Sequence, residues 1–182
     1  MKIGVVGTGY VGLVSGTCFA EFGIDVICVD KDAGKIERLK KGEIPIYEPG
    51  LEDLVAKQVK AGRLHFTTDL AEAMKDAEAV FIAVGTPPRV IDGQADLTYV
   101  FDAAKEIAKH IHKYTIIVNK STVPVGTARL VEDVIRVANP NADFDVVSNP
   151  EFLREGAAIG DFMRPDRVIV GTTSERARAR DA

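Results

Sequence analysis

Short apolar runs alternate with amphipathic stretches along nearly the whole chain. Residues 2–6 and 26–30 are apolar and short enough for strands. Between them, 11–23 carries a helical stripe of Val14, Cys18 and Phe22, ended by Gly23. A polar helix is predicted from Ala33 to Lys41, stopped by Gly42. Residues 43–50 hold two prolines and are predicted irregular. A helix over 51–61, a strand over 63–67 and a short helix capped by Asp69 and running to Lys75 follow. Residues 78–84 form the most apolar run, as a parallel strand covered on both faces requires. Beyond a polar loop over 89–96, Val100, Ala104, Ile107 and Ile111 mark one helix face, 115–119 reads as a strand, and Leu130, Val131, Val134, Ile135 and Ala138 mark another helix. The last predicted strands are 144–147 and 167–170.

This alternation predicts an α/β fold: a Rossmann-like, doubly wound, mostly parallel sheet with helices on both faces, joined by right-handed crossovers. Ligands of such sheets bind beyond the carboxyl ends of the strands. Three loops fall there: Gly7–Gly12, Gly85–Pro88 and Lys120–Thr127.

The first of these carries chemistry. Gly7-Thr8-Gly9-Tyr10-Val11-Gly12 fits G-x-G-x-x-G, with a predicted strand before it and a helix after. Gly7 permits the tight turn, Gly9 lets a pyrophosphate approach the backbone, and Gly12 lets the helix pack on the strand. The helix N-terminus, where Val11 offers its backbone N–H, supplies free donors and partial positive charge for phosphates. Asp30 ends the second strand about 20 residues further on, where a carboxylate accepts from an adenosine ribose and repels a 2′-phosphate. The expected cofactor is therefore NAD rather than NADP.

Composition excludes several classes. With 182 residues the chain can build one domain with a proper core. A net charge of −4 gives no footprint for nucleic acid. The longest unbroken apolar stretch, Ala79 to Val84, is too short to span a membrane, and the N-terminus has no signal-peptide layout. Cys18 and Cys28 read as small core residues, and His65, His110 and His112 lack metal-ligand spacing, so no metal is expected. A reducing cytoplasm fits this usage.

Several further words occur: Pro45-Ile46-Tyr47-Glu48-Pro49-Gly50-Leu51, Val84-Gly85-Thr86-Pro87, and Lys120-Ser121-Thr122-Val123-Pro124-Val125-Gly126-Thr127. The last are Asn149-Pro150-Glu151-Phe152-Leu153-Arg154-Glu155-Gly156 and Arg164-Pro165-Asp166-Arg167. Together with the glycine loop, they make the chain resemble the NAD-binding N-terminal domain of the UDP-glucose/GDP-mannose dehydrogenase family, up to about Gly171. The resemblance implies oxidation of a sugar-nucleotide C6 alcohol to a carboxylate with two NAD+, through a cysteine thioester that water hydrolyses. It implies a nucleophilic cysteine in a Gly-rich segment C-terminal to everything here, which neither Cys18 nor Cys28 matches. Residues 1–171 are then a cofactor domain without its catalytic half, expected to be inactive alone. Residues 172–182 begin an interdomain helix or fray as a tail. The segments at 154–158 and 164–167 look closer to the UDP-glucose type than to the GDP-mannose or UDP-N-acetylhexosamine types. A stand-alone NAD-binding module is a further alternative. The resemblance also implies a UDP-sugar substrate and a homodimer of the full-length enzyme, with apolar surface exposed near 150–182.

It assigns residues too. Lys35 resembles a contact to the adenosine end; physics alone favours a solvated helix lysine. Tyr10 lies in the phosphate loop, where it can contact cofactor or simply pack. Gly85, Thr86 and Pro87 match a cofactor-facing turn, and Thr86 is otherwise a turn threonine. Thr122 resembles the residue beside the nicotinamide and the hydrolytic water, or else caps the following helix. Glu151 and Glu155 are four apart and would share a face on a helical turn. Glu151 resembles the acid near the water, and Glu155 the contact to the nicotinamide amide. The stretch from Glu151 through Phe152, Leu153 and Arg154 to Glu155 resembles the segment that meets the UDP-sugar.

Overall fold

The computed structural model describes residues 1–91 and 93–179. Six strands form one parallel sheet: β1 (Lys2–Val6), β2 (Asp25–Val29), β3 (Leu64–Thr67), β4 (Ala79–Ile82), β5 (Thr115–Asn119) and β6 (Phe144–Ser148). Their order is β3-β2-β1-β4-β5-β6, which makes the sheet doubly wound, as expected. The winding reverses between β1 and β4, so a crevice opens beyond their carboxyl ends.

The connecting helices are α1 (Tyr10–Glu21), α2 (Ala33–Lys40), α3 (Leu51–Lys60), α4 (Leu70–Met74), α5 (Thr98–Ala108), α6 (Thr127–Ala138), α7 (Ala158–Met163) and α8 (Glu175–Arg178). Strand side chains alternate between two apolar layers, which is why these strands read as unbroken runs. Phe81 and Val118 join Leu13, Val14 and Leu51 in the layer under α1 and α3. Val80, Ile82 and Ile117 join Val100, Ile107, Val131 and Ile135 in the layer under α5 and α6. Cys18 and Cys28 are fully buried in the first layer, and burial pushes both thiols up to about 12. For Cys18 the charges of Glu21 and Glu48 push the same way.

Helix ends follow the local chemistry. Gly23 and Gly42 sit just past α1 and α2 with φ of 88° and 82°, a conformation in which other residues are strained. Asp69 caps α4, its carboxylate accepting from the Ala71 N–H at 2.9 Å. Asp69→Ala is expected to lower stability by about 1 kcal/mol, read as a shift in denaturation midpoint at unchanged slope.

The C-terminal part departs from the sequence reading. Residues 167–170 are not a strand. One antiparallel bridge, Ser148 to Gly171, joins this stretch to the sheet. Asn149 Nδ2 takes the Ile169 carbonyl at 2.9 Å, an acceptor a ladder would need. Val168, Ile169 and Val170 therefore stay exposed, and with Phe152 they leave apolar surface in the region expected. The most apolar strand is also shorter than read. Val84 leaves the ladder because its carbonyl accepts from Ser121 Oγ at 2.8 Å. Of the predicted tail, Glu175–Arg178 is a helical turn docked on β6, with Arg176 paired to Asp143 at 2.8 Å and stacked on Tyr114. Residues 180–182 lie outside the described residues.

Candidate functional site

The glycine loop forms the crevice floor. Gly7 has φ 102°, and a Cβ there would lie 2.6 Å from the Ala83 carbonyl oxygen. A Cβ on Gly12 would lie 2.0 Å from the Gly7 oxygen, so helix and loop can meet only through glycine. Gly9 differs: a Cβ there would meet nothing within 4 Å. The space in front of Gly9 is open, and α1 begins at Tyr10 with no side chain capping its free N–H groups. An open, uncapped helix start flanked by tight glycines fits a pyrophosphate.

Asp30 lies beside this loop. Its Oδ2 accepts from the Thr8 N–H (2.9 Å), the Thr8 hydroxyl (2.8 Å) and Lys35 Nζ (3.1 Å). Its Oδ1 accepts from the Asp32 N–H at 3.1 Å and keeps room for a second donor, such as a ribose hydroxyl. Burial pushes this carboxyl up, but the bonds from Thr8, Asp32 and Lys35 outweigh it and hold the group below the usual carboxylate range. Lys35 is thus engaged with Asp30.

The other two loops are tied together. Thr86 Oγ1 donates to the Thr122 carbonyl at 3.0 Å, which joins the Gly85–Pro87 turn to the chain beyond β5. Thr122 itself is exposed and does not cap α6. That cap is Gly126 in the left-handed conformation, and the Thr127 hydroxyl closes the turn on the Pro124 carbonyl at 2.7 Å.

Next to them a cavity of about 820 Å³ opens beyond the carboxyl ends of β5 and β6. Lys120, Asn149, Glu151, Phe152, Phe162 and Arg167 are among its walls, and Leu153 and Arg154 also line it. Glu151 and Glu155 do not share a helical face. Residues 151–154 are irregular and 155–157 form a turn, because Glu151 Oε2 accepts from the Leu153 N–H at 2.6 Å and bends the chain locally. Glu155 is exposed on that turn. Arg154 reaches forward to Asp161 at 2.6 Å, and this contact raises the guanidinium and lowers the carboxyl.

Two charged residues in these words received no role from the sequence. Lys120 is 5% exposed, and its Nζ donates to Asn149 Oδ1 at 3.0 Å and lies over the Phe162 ring. Burial pushes it down to about 8, against the pull of Glu151. Glu48 is 7% exposed and accepts from Tyr10 and from the N–H groups of Gly156 (2.8 Å) and Ala158 (2.9 Å). Burial pushes its carboxyl up, yet these bonds hold it low. An acid between two prolines and a lysine closing a buried strand were the available signals; their partners, far away in sequence, were not.

Among the described residues, no helix is long and apolar enough to cross a membrane. The sequence profile of the UDP-glucose/GDP-mannose dehydrogenase family, NAD binding domain, matches residues 1–181. The UDP-glucose 6-dehydrogenase of Rhizobium meliloti (strain 1021) is 62% identical over 181 residues, which is 100% of this chain and 41% of that protein. A UDP-glucose dehydrogenase structure from the hyperthermophilic archaeon Pyrobaculum islandicum superposes with a TM-score of 0.93 at 43% identity, covering 98% of this chain and 42% of that one. A ternary complex of GDP-mannose dehydrogenase from Pseudomonas aeruginosa superposes at 0.94 with 37% identity, covering 98% and 42%. The chain spans about two fifths of the length of these relatives.

Proposed function

The chain belongs to the UDP-glucose/GDP-mannose dehydrogenase family, and from that premise we propose that it is the NAD-holding part of a UDP-glucose 6-dehydrogenase. The observation that carries this is the crevice itself. An uncapped helix start and the open face of Gly9 stand next to Asp30, which is bonded to the loop at Thr8 and keeps a side of its Oδ1 for a further donor. A cavity walled by Glu151 and Phe152 lies at the other side of the sheet's carboxyl edge, next to the ends of β5 and β6. A dinucleotide fits the first part and a sugar nucleotide the second.

In this reading Gly7, Gly9, Val11 and Gly12 shape and line the pyrophosphate site, with Tyr10 packed beneath it. Asp30 accepts from the ribose and Lys35 holds Asp30 in place. Gly85, Thr86 and Pro87 flank the nicotinamide end, and Glu155 takes the amide. NAD+, when bound, supplies the hydride acceptor for oxidation of the sugar alcohol. Glu151 and Thr122 hold the water required for hydrolysis, while Phe152, Leu153 and Arg154 meet the UDP-sugar. The thioester route needs a thiolate. Cys18 and Cys28 are buried and held protonated by that burial, so neither can supply one. Residues 1–171 are thus the cofactor domain, and the chain alone is inactive. The UDP-glucose type is favoured over the GDP-mannose type by 43% identity to the solved UDP-glucose dehydrogenase, against 37% to the GDP-mannose enzyme.

Calorimetric titration with NAD+ and NADP+ tests the reading. Saturable NAD+ binding, weaker NADP+ binding, and a loss of about tenfold or more in NAD+ affinity on Asp30→Ala are expected. A folded chain that binds neither dinucleotide, or an Asp30→Ala variant that binds NAD+ unchanged, would sink it.

A further inference from the structure

Glu48 joins two parts of the site that the sequence keeps far apart. Its Oε2 accepts from the Tyr10 hydroxyl and from the Gly156 N–H, and its Oε1 from the Ala158 N–H. Tyr10 is the first residue of α1, the end that faces the pyrophosphate site. Its hydroxyl also lies 3.4 Å from the Arg154 carbonyl. The other side of the junction is the stretch 151–163, irregular or turn-like up to α7. Its remaining hydrogen bonds are internal: Leu153 to Glu151, Ala157 to Arg154, and Arg154 to Asp161. Among the described residues, the side-chain hydrogen bonds that join this stretch to the rest of the molecule are those of Glu48 and Tyr10; the Arg164 N–H only continues α7 by donating to the Gly160 carbonyl at 3.0 Å.

This is an unusual use of a buried carboxylate. A group that is 7% exposed must have its charge satisfied, and here the satisfying donors come from both halves of the site. Burial and the neighbouring carboxylate push the Tyr10 hydroxyl up to about 12, so it remains a donor at neutral pH. Ala158 and Phe162 seat α7 on the core, whereas the irregular turn ahead of it has its polar anchor at this junction and responds to changes there.

We propose that Glu48 is a positioning residue that couples the two halves of the site: occupation of the phosphate loop orders the 151–158 segment through Tyr10 and Glu48. The proposal rests on the cofactor reading above. Phosphate contacts to the start of α1 fix Tyr10, a fixed Tyr10 fixes Glu48, and Glu48 fixes the N–H groups of Gly156 and Ala158. Two sites that share one ordering step bind cooperatively without a change of fold. The cofactor then prepares the segment that is to meet the sugar nucleotide.

Hydrogen exchange of peptides covering 153–160, with and without NAD+, tests this in the chain as it stands, beside calorimetry on the same samples. In the wild type, NAD+ is expected to slow exchange at least about threefold. E48Q keeps the shape but replaces one acceptor oxygen by a donor. It is expected to bind NAD+ within about threefold of wild type, to exchange about tenfold faster without ligand, and to lose the response to NAD+. A merely structural role predicts faster exchange with the response kept, and that result overturns the coupling. Unchanged exchange in E48Q overturns the anchor as well. Should E48Q not fold, Y10F, which keeps the ring and removes the shared donor, is scored on the same readout. A wild-type chain that binds NAD+ with no change at 153–160 refutes the proposal alone. A chain that shows no NAD+ binding by calorimetry refutes the cofactor reading, and the coupling with it.

Discussion

Gly12→Ala is expected to weaken NAD+ binding by about a hundredfold, close to 3 kcal/mol, and to lower stability by about 1–3 kcal/mol. The added Cβ would sit 2.0 Å from the Gly7 carbonyl oxygen and 3.3 Å from the Ala83 Cβ. Backbone on one side and a packed strand end on the other leave it no flexible neighbour to displace. The first turn of α1 must therefore move away from the loop that it shapes. Gly9→Ala is the matched control. Its Cβ would meet no protein atom within 4 Å, so the ligand-free protein should lose at most about 1 kcal/mol, as for a helix-cap change. The same Cβ enters the space proposed for the pyrophosphate, so NAD+ affinity should fall. Thermal denaturation and calorimetry on the two variants separate the effects. If Gly9→Ala binds NAD+ as well as wild type, the pyrophosphate does not lie in front of Gly9. If Gly12→Ala keeps both stability and affinity, the close approach of helix and loop is not what shapes the site.

What could be read from the sequence follows from where the information lies. The sheet was legible because its central strands β1, β4 and β5 are mostly apolar runs bounded by glycine or a polar turn. The glycine loop was legible because Gly7 and Gly12 answer to local backbone demands within six residues. Asp30 was legible because a βαβ unit fixes its distance from those glycines. Residues 167–170 were misread because apolar composition reports a wish for burial, not a hydrogen-bonding partner. There, Asn149 takes the carbonyl that a strand would have offered to a neighbour. The pairing of Glu151 with Glu155 assumed helical backbone, and a local turn around the Glu151 side chain replaced it. Glu48 could not be placed, because its partners Gly156 and Ala158 stand 108 and 110 residues away. Such contacts are set by the winding of the sheet and leave no periodic trace.

Lys120→Met is expected to stabilise the protein by about 1–3 kcal/mol near pH 7, the relief of the buried charge being offset in part by the lost bond to Asn149, an advantage that shrinks as the pH rises. Lys120 is 5% exposed and its Nζ has Asn149 Oδ1 as a neutral acceptor, with Glu151 acting at longer range. Burial lowers its pKa to about 8 from 10.5. Between those values the unfolded chain holds a proton that the folded chain does not, so wild-type stability gains with pH across this window. The penalty is full below about 8 and gone above the unfolded value. Methionine fills similar space without the charge, so it removes the penalty at every pH. The thiols of Cys18 and Cys28 shift the opposite way, to about 12, and erode stability as the pH rises above 9. They do so in both proteins and cancel in the difference. Denaturant unfolding of the pair at about pH 7 and pH 9.5 measures it. A Met variant no more stable than wild type near pH 7 would mean that Lys120 is well supported as a cation. A stabilisation that fades with pH would establish a charge held at a cost on the wall of the Glu151 cavity. A residue that destabilises the fold where it stands is a candidate for the chemistry of that cavity.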